Sequence, residues 1–315
     1  MKNTFSYDVK HEILNIRYDD YGPAIGSLCA IFQTLGEIVL NRGGFSISLV
    51  IDHDDMFDFV VQTIEKFYGK ISADTKIHSS KRLGNDRREI DFDSELGRRL
   101  LFDTGIVNIE GGVTNINRGV EKNILADEAT KIAYLSHAFA ACGSITLPTE
   151  GKGGYHMEWA VSSDEVAGDI IQILTDFNVL PKKVKRGEKF VIYLKDRDVI
   201  SDMVGRFGAS KSMLKIAEMQ LERDIRNQIN RDANCMTANI SKTVDASAKQ
   251  IAAISIIEET MGIENLSSSL QEMAKARKAD PQASIAALGT QLGISKSAAR
   301  ARLDSLVAIA DNLSQ

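Results

Sequence analysis

Two stretches of this chain, LCAIFQTLGEIVL (28–40) and LSHAFAACGSITL (135–147), lie over one another without a gap. Leu28, Phe32, Gly36, Ile38 and Leu40 match Leu135, Phe139, Gly143, Ile145 and Leu147. After a three-residue insertion the match resumes, with GGFSISLVIDHDDMFDFVVQTIEKF (43–67) over GGYHMEWAVSSDEVAGDIIQILTDF (153–177). The insertion falls in a Gly-rich turn, NRGG in one copy and TEGKGG in the other, where a hairpin tolerates a change in length. A looser third strip sets KIHSSKRLGNDRREIDF (76–92) over KKVKRGEKFVIYL (182–194). An internal repeat constrains the fold strongly: whatever the first copy forms, the second forms too, and stacked copies bury a shared core.

Each copy reads as helix, two strands, helix, two strands, helix. In SISLVI and HMEWAV every second residue is apolar or aromatic, the signature of a half-buried strand. The segments at 54–68 and 164–177 open on acidic residues suited to a helix N-terminus. Small residues in the first helix of each copy permit close backbone approach, so the copies are expected to pair across those helices. The sequence therefore predicts an α+β fold: a duplicated αββαββα domain with a pseudo-two-fold axis, spanning 1–211, with repeats at about 21–115 and 125–210.

The last third differs. SMLKIAEMQLERDIRNQIN (212–230) has helical apolar spacing and reads as a connecting helix. RDANCMTANISKT, rich in Asn, Ser and Thr, predicts an irregular hinge, so that 212–240 forms connecting helix and hinge. Residues 241–315 predict an all-α helix-turn-helix domain. Its helices are expected at about 245–260 and 266–279, with Asp280-Pro281 stopping the chain before a final pair. In SIAALGTQLGISKSAARARLDSLVAIA, Gly293 supplies the left-handed turn position, Ser295 caps the second helix, and Gly289 is the small residue at the crossing. Ala299, Leu303 and Leu306 then face inward. The residues expected to contact DNA are Ser295, Lys296, Ser297, Arg300 and Arg302, with Arg300 suited to a bidentate guanine contact. Lys242, in the hinge, is a further phosphate candidate. Arg302 occupies a position where this pattern ordinarily has an apolar residue.

The duplicated unit, whose first helix ends in a glycine, resembles the LAGLIDADG homing endonucleases. There the residue before each terminal glycine is an acid that holds catalytic metal; here those positions carry Leu35 and Cys142. Leucine cannot ligate and a thiolate is a poor Mg²⁺ ligand, so the resemblance implies a scaffold with no catalytic residues and no metal site. FSYDVKHEIL near the start, NRDANCMTANISKTVDASAKQI (230–251) and LGTQLGISKSAARARL (288–303) resemble the WhiA family of bacterial transcription regulators. That resemblance implies promoter DNA binding through the helix-turn-helix and control of sporulation or cell-division genes. In the endonuclease scaffold the sheets form a DNA-facing saddle. Lys81, Arg82, Arg87 and Arg88 in one copy, and Lys182, Lys183, Lys185 and Arg186 in the other, are therefore candidate secondary phosphate contacts.

Charge and composition set the outer bounds. Net charge is −5, but residues 210–315 hold 13 Lys/Arg against 12 Asp/Glu, so the acidity lies in the first two thirds. The three cysteines are far apart and form no CxxC or Cys/His spacing, which points away from zinc and disulfides and toward a reducing cytoplasm. No apolar run approaches the ~20 residues that span a bilayer, and the first residues lack a signal-peptide core. DHDD (52–55) reads as a strand end and helix start rather than a metal cluster, since its counterpart is SSDE. His137 and Cys142 read as packing residues on the axis helix. The expectation is a cytoplasmic, nucleoid-associated monomer without cofactor, bound to double-stranded promoter DNA and to a protein such as RNA polymerase. The alternatives are an active LAGLIDADG-type endonuclease and a ligand-sensing regulator.

Overall fold

The computed structural model of the protein describes residues 4–41, 44–71, 73–79, 86–148 and 153–314. It comprises two compact units, Met1–Gln220 and Leu221–Gln315.

The first unit contains the repeat. After α1 (Phe5–Leu14), one copy runs α2 (Tyr21–Leu35), β1 (Gly36–Asn41), β2 (Gly44–Ile51), α3 (Asp54–Tyr68), β3 (Ala73–Ser79), β4 (Asp86–Phe92) and α4 (Ser94–Asp103). A short hairpin of β5 (Val107–Glu110) and β6 (Val113–Ile116) follows. The second copy runs α5 (Glu128–Cys142), β7 (Gly143–Thr146), β8 (His156–Val161), α6 (Asp164–Asp176), β9 (Lys182–Arg186), β10 (Lys189–Leu194) and α7 (Arg197–Arg206). The two copies each form one four-stranded antiparallel sheet, with matching orders β1-β2-β4-β3 and β7-β8-β10-β9. The α+β architecture and the duplication are thus both present.

Helices α2 and α5 pack together along the seam between copies. A Cβ on Gly26 would lie 2.8 Å from Thr130 Cγ2 and 3.0 Å from the Thr130 carbonyl, so only glycine permits this approach. The Tyr134 hydroxyl donates to Gln33 Oε1 across the seam at 2.7 Å. Behind the helices, Ile47, Leu49 and Ile51 from β2, and Met157, Trp159 and Val161 from β8, fill the core on the alternating positions expected of a half-buried strand.

The predicted hinge is not irregular. Residues 231–243 lie inside α8 (Ser210–Thr260), one helix of 51 residues. No Gly or Pro occurs within it, and Asn, Ser and Thr each cost only about 0.7 kcal/mol or less relative to Ala in a helix. Their side chains bond along the helix instead of competing with it: Ser241 to Asp245 at 3.4 Å, and the Thr243 hydroxyl to the Asn239 carbonyl at 2.9 Å. The Glu12 carboxylate of α1 caps the first turn, accepting from Lys211 N and Ser212 N at 2.8 and 2.9 Å. The second unit closes with a 3₁₀ turn (Ile263–Asn265), α9 (Ser268–Ala279), α10 (Ile285–Gln291) and α11 (Lys296–Leu313).

Candidate nucleic-acid interface

The helix-turn-helix assembles as its local chemistry requires. Ser284 caps α10 through Ala287 N at 3.1 Å. Gly293 turns the chain at φ 66°, and Ile294 N bonds back to the Gly289 carbonyl at 2.8 Å. A Cβ on Gly289 would press to 3.0 Å on the Ile294 carbonyl, so the turn closes tightly only over glycine. Ser295 then caps α11 through Ala298 N at 3.2 Å. Ala299, Leu303 and Leu306 are fully buried against Leu288, Met273 and Ile254. That anchoring leaves one face of the α11 N-terminus outward.

On that face Ser295, Lys296, Ser297 and Arg300 are all exposed. Arg300 stands 3.8 Å from Asp304 one turn on, a solvent-exposed pair weak enough to be exchanged for another anion. Arg302 departs from expectation. It is half-buried, and its guanidinium donates to the Ser269 carbonyl of α9 at 3.4 Å. At about 100° per residue it lies roughly 160° around α11 from Arg300, so it ties α11 to α9 instead of reaching out. Arg302→Ala is expected to change DNA affinity by less than about twofold, within the ordinary effect of a substitution outside the contact face. A fluorescence anisotropy titration checks this. Lys242 is exposed on α8, outside the two helices of the motif.

The sheet cations divide by strand alternation and do not form one surface. Lys81 and Arg82 lie outside the described residues. Arg88 and Lys183 sit on the same sheet faces as the buried Ile51 and Ile192 that they pair with in register. Each bridges to the first residue of a helix, Arg88 to Asp54 at 2.8 Å and Lys183 to Asp164. Lys185 shares that side and rests over the Phe190 ring. Among the described candidates Arg87, Lys182 and Arg186 are on the outer faces, and Arg87 pairs with Asp52 at 2.8 Å while Arg186 stands 3.7 Å from Glu158.

The two outer faces also differ in charge. One row across the first sheet carries Glu37, Ser48, Asp91 and Asp74 in register. The hydrogen bond from Lys76, then that from Ser48, holds the Asp91 carboxyl below its ordinary range. The corresponding row of the second sheet carries Ser144, Glu158, Tyr193 and Lys182. Three carboxylates in one row repel phosphate, so among the described residues the outer face of the second sheet is the more basic of the two.

At the seam, Leu35 packs half-buried against the core. The Cys142 thiol donates to the Ala138 carbonyl at 3.1 Å, and burial pushes its pKa up to about 11. Such a thiol stays protonated and inert at neutral pH. His137 is fully buried between Phe59 and Tyr18, with ring centroids 4.3 and 5.8 Å away. The DHDD acids disperse: Asp52 to Arg87, Asp54 to Arg88, and Asp55 to His11 Nδ1 at 2.7 Å. Among the described residues no three His, Cys, Asp or Glu side chains are grouped to hold a metal ion, and no helix is long and apolar enough to cross a membrane.

Comparisons with known proteins agree with this architecture. Residues 131–226 match the family model of the WhiA LAGLIDADG-like domain, and residues 229–310 that of the WhiA C-terminal HTH domain. A probable cell division protein WhiA from Thermoanaerobacter sp. (strain X514) is 30% identical over 317 residues, covering 99% of this chain and 98% of its own length. The protein of the same name from Clostridium beijerinckii is 31% identical, with 98% of each chain covered. The crystal structure of full-length DUF199/WhiA from Thermatoga maritima matches with a TM-score of 0.59 and 21% identity, over 98% of this chain and 99% of that one. With a LAGLIDADG-like repeat, a helix-turn-helix and full-length relatives of the same name, the chain belongs to the WhiA family.

Proposed function

We propose that this protein is a sequence-specific regulator of transcription that binds promoter DNA through α11 and acts on sporulation or cell-division genes. The observation that carries the reading is the Ser295-capped N-terminus of α11, where Lys296, Ser297 and Arg300 are exposed beside a turn closed by Gly289 and Gly293. A helix held this way enters the major groove N-terminus first, with its arginine at base edges and its lysine and terminal N–H groups at phosphates. The relatives' name, a cell division protein, supports the choice of target genes. The protein acts in the cytoplasm, on the nucleoid, as a monomer.

The repeat domain is in this reading an accessory surface without catalysis. Leucine and a protonated thiol stand where two-metal cleavage needs carboxylates. The outer face of the second sheet, with Lys182 and Arg186, lies along DNA, and the acidic first sheet is left for a protein such as RNA polymerase. Genome-wide occupancy of the tagged protein, paired with incubation of supercoiled plasmid in Mg²⁺, tests both halves. The expected result is discrete promoter peaks and intact plasmid. Cleavage, or occupancy with no site preference, would overturn the reading.

A further inference from the structure

The middle of α8 is built as a reading surface of its own. Every residue from Leu221 to Ile240 is exposed. At about 100° per residue, Asn230, Arg223, Asn234, Asn227, Ala238 and Lys242 share one arc of roughly 120°, which contains one acid, Asp224. Leu221, Ile225, Ile229, Met236 and Ile240 lie on the other side, each more than half exposed. Of the cations on this arc, Arg231 donates to Gln228 Oε1 at 2.8 Å, and the other two are uncommitted. Arg223 and Lys242 make no ion pair among the described residues, in contrast with Arg87, Arg88 and Lys183 on the sheets.

The composition of that arc selects its ligand. Asparagine amides bond the N6/N7 edge of adenine in pairs, and a small side chain such as Ala238 accommodates a thymine methyl. A face meant for bulk solvent gains nothing from three asparagines, which are poorer helix formers than Glu, Lys or Gln. Asn227 to Asn234 spans about 10 Å of helix, which fits a major groove about 12 Å wide. Arg223 lies one turn before this span and Lys242 two turns after it, where the flanking phosphates run. The net positive charge of the arc complements them.

We propose that α8 is a second DNA-reading element, which enters a major groove with Asn227, Asn230 and Asn234 on base edges and Arg223 and Lys242 on phosphates. It rests on the DNA-binding reading given above and adds specificity that α11 alone does not supply. The apolar stripe faces out of the groove.

The test is selection of bound duplexes from a randomised pool by the full-length chain, by the triple variant N227A/N230A/N234A, and by K296A/R300A. Alanine raises helix propensity at each exposed position, so lost binding in the triple variant is not lost helix. The expected triple variant binds the duplex selected by the unmutated chain more than tenfold more weakly and loses preference at one block of positions. K296A/R300A is expected to lose a different block. Unchanged affinity and preference in the triple variant would overturn this proposal and leave the α11 reading standing. So would an unmutated chain that sediments as a dimer beside a triple variant that keeps its DNA affinity but sediments as a monomer, which would make the face an interface between copies. If the unmutated chain enriches no sequence, the DNA-binding reading falls and this proposal with it.

Discussion

Trp159→Ala is expected to lower the stability of the repeat domain by about 3–5 kcal/mol, the ordinary loss for truncating a buried aromatic. Trp159 is fully buried in β8, and its indole donates to the Leu135 carbonyl of α5 at 3.2 Å. It meets Phe139 and Phe207 edge-on, at ring centroid distances of 5.7 and 6.3 Å. The side chain thus joins the second sheet to the seam helix and to the segment after α7, and removing it leaves a cavity where three elements meet. Against a total of about 5–15 kcal/mol for a typical domain, the loss is large. Urea unfolding followed by far-UV circular dichroism reads it as a fall in midpoint. Met236→Ala, at an exposed position of α8, is expected to stay within about 0.5 kcal/mol. Equal midpoints for the two variants would contradict the core assigned to the second copy.

The second large effect is a pH dependence centred on His137. Burial, together with the charge of Arg17, lowers its pKa from the ordinary 6.5 to about 4, while its Nδ1 is held against the Ala133 carbonyl at 2.9 Å. Its Nε2 has no hydrogen-bond partner among the described residues. The folded protein therefore keeps the ring neutral, and the unfolded chain takes up a proton below pH 6.5. Stability from this group is complete above pH 6.5 and is lost as pH falls toward 4, by about 3 kcal/mol across the window. The sole tryptophan, Trp159, reports unfolding of this domain by fluorescence. His137→Leu is expected to flatten the slope between pH 6.5 and 4, although carboxylates still titrate below it. A slope unchanged by the substitution would show that His137 is not the group responsible.

The repeat was legible because Leu28, Phe32 and Gly36 recur as Leu135, Phe139 and Gly143, and a core contact made twice leaves its pattern twice. The turn of the helix-turn-helix was legible for a similar reason, since Gly289, Gly293 and Ser295 each meet a backbone requirement that few residues satisfy. The hinge was misread because Asn, Ser and Thr favour loops when considered singly. They extend α8 all the same, since nothing between Gly208 and Gly262 breaks the backbone hydrogen bonds. The β5–β6 hairpin has its signal in VNIEGGVTNI, whose Gly111 and Gly112 turn with φ at 59° and 81°. Cations that are neighbours in sequence do not share a surface on a strand, because adjacent residues point to opposite faces. That placed Lys182 and Lys183 on different surfaces, and only the register with β10 separates them.

Recognition by α11 is tested by the affinity of K296A/R300A for a promoter duplex bound by the unmutated chain. Loss of a bidentate base contact and a phosphate contact together is expected to weaken binding by more than tenfold. Unchanged affinity, with the variant folded by circular dichroism, would contradict it.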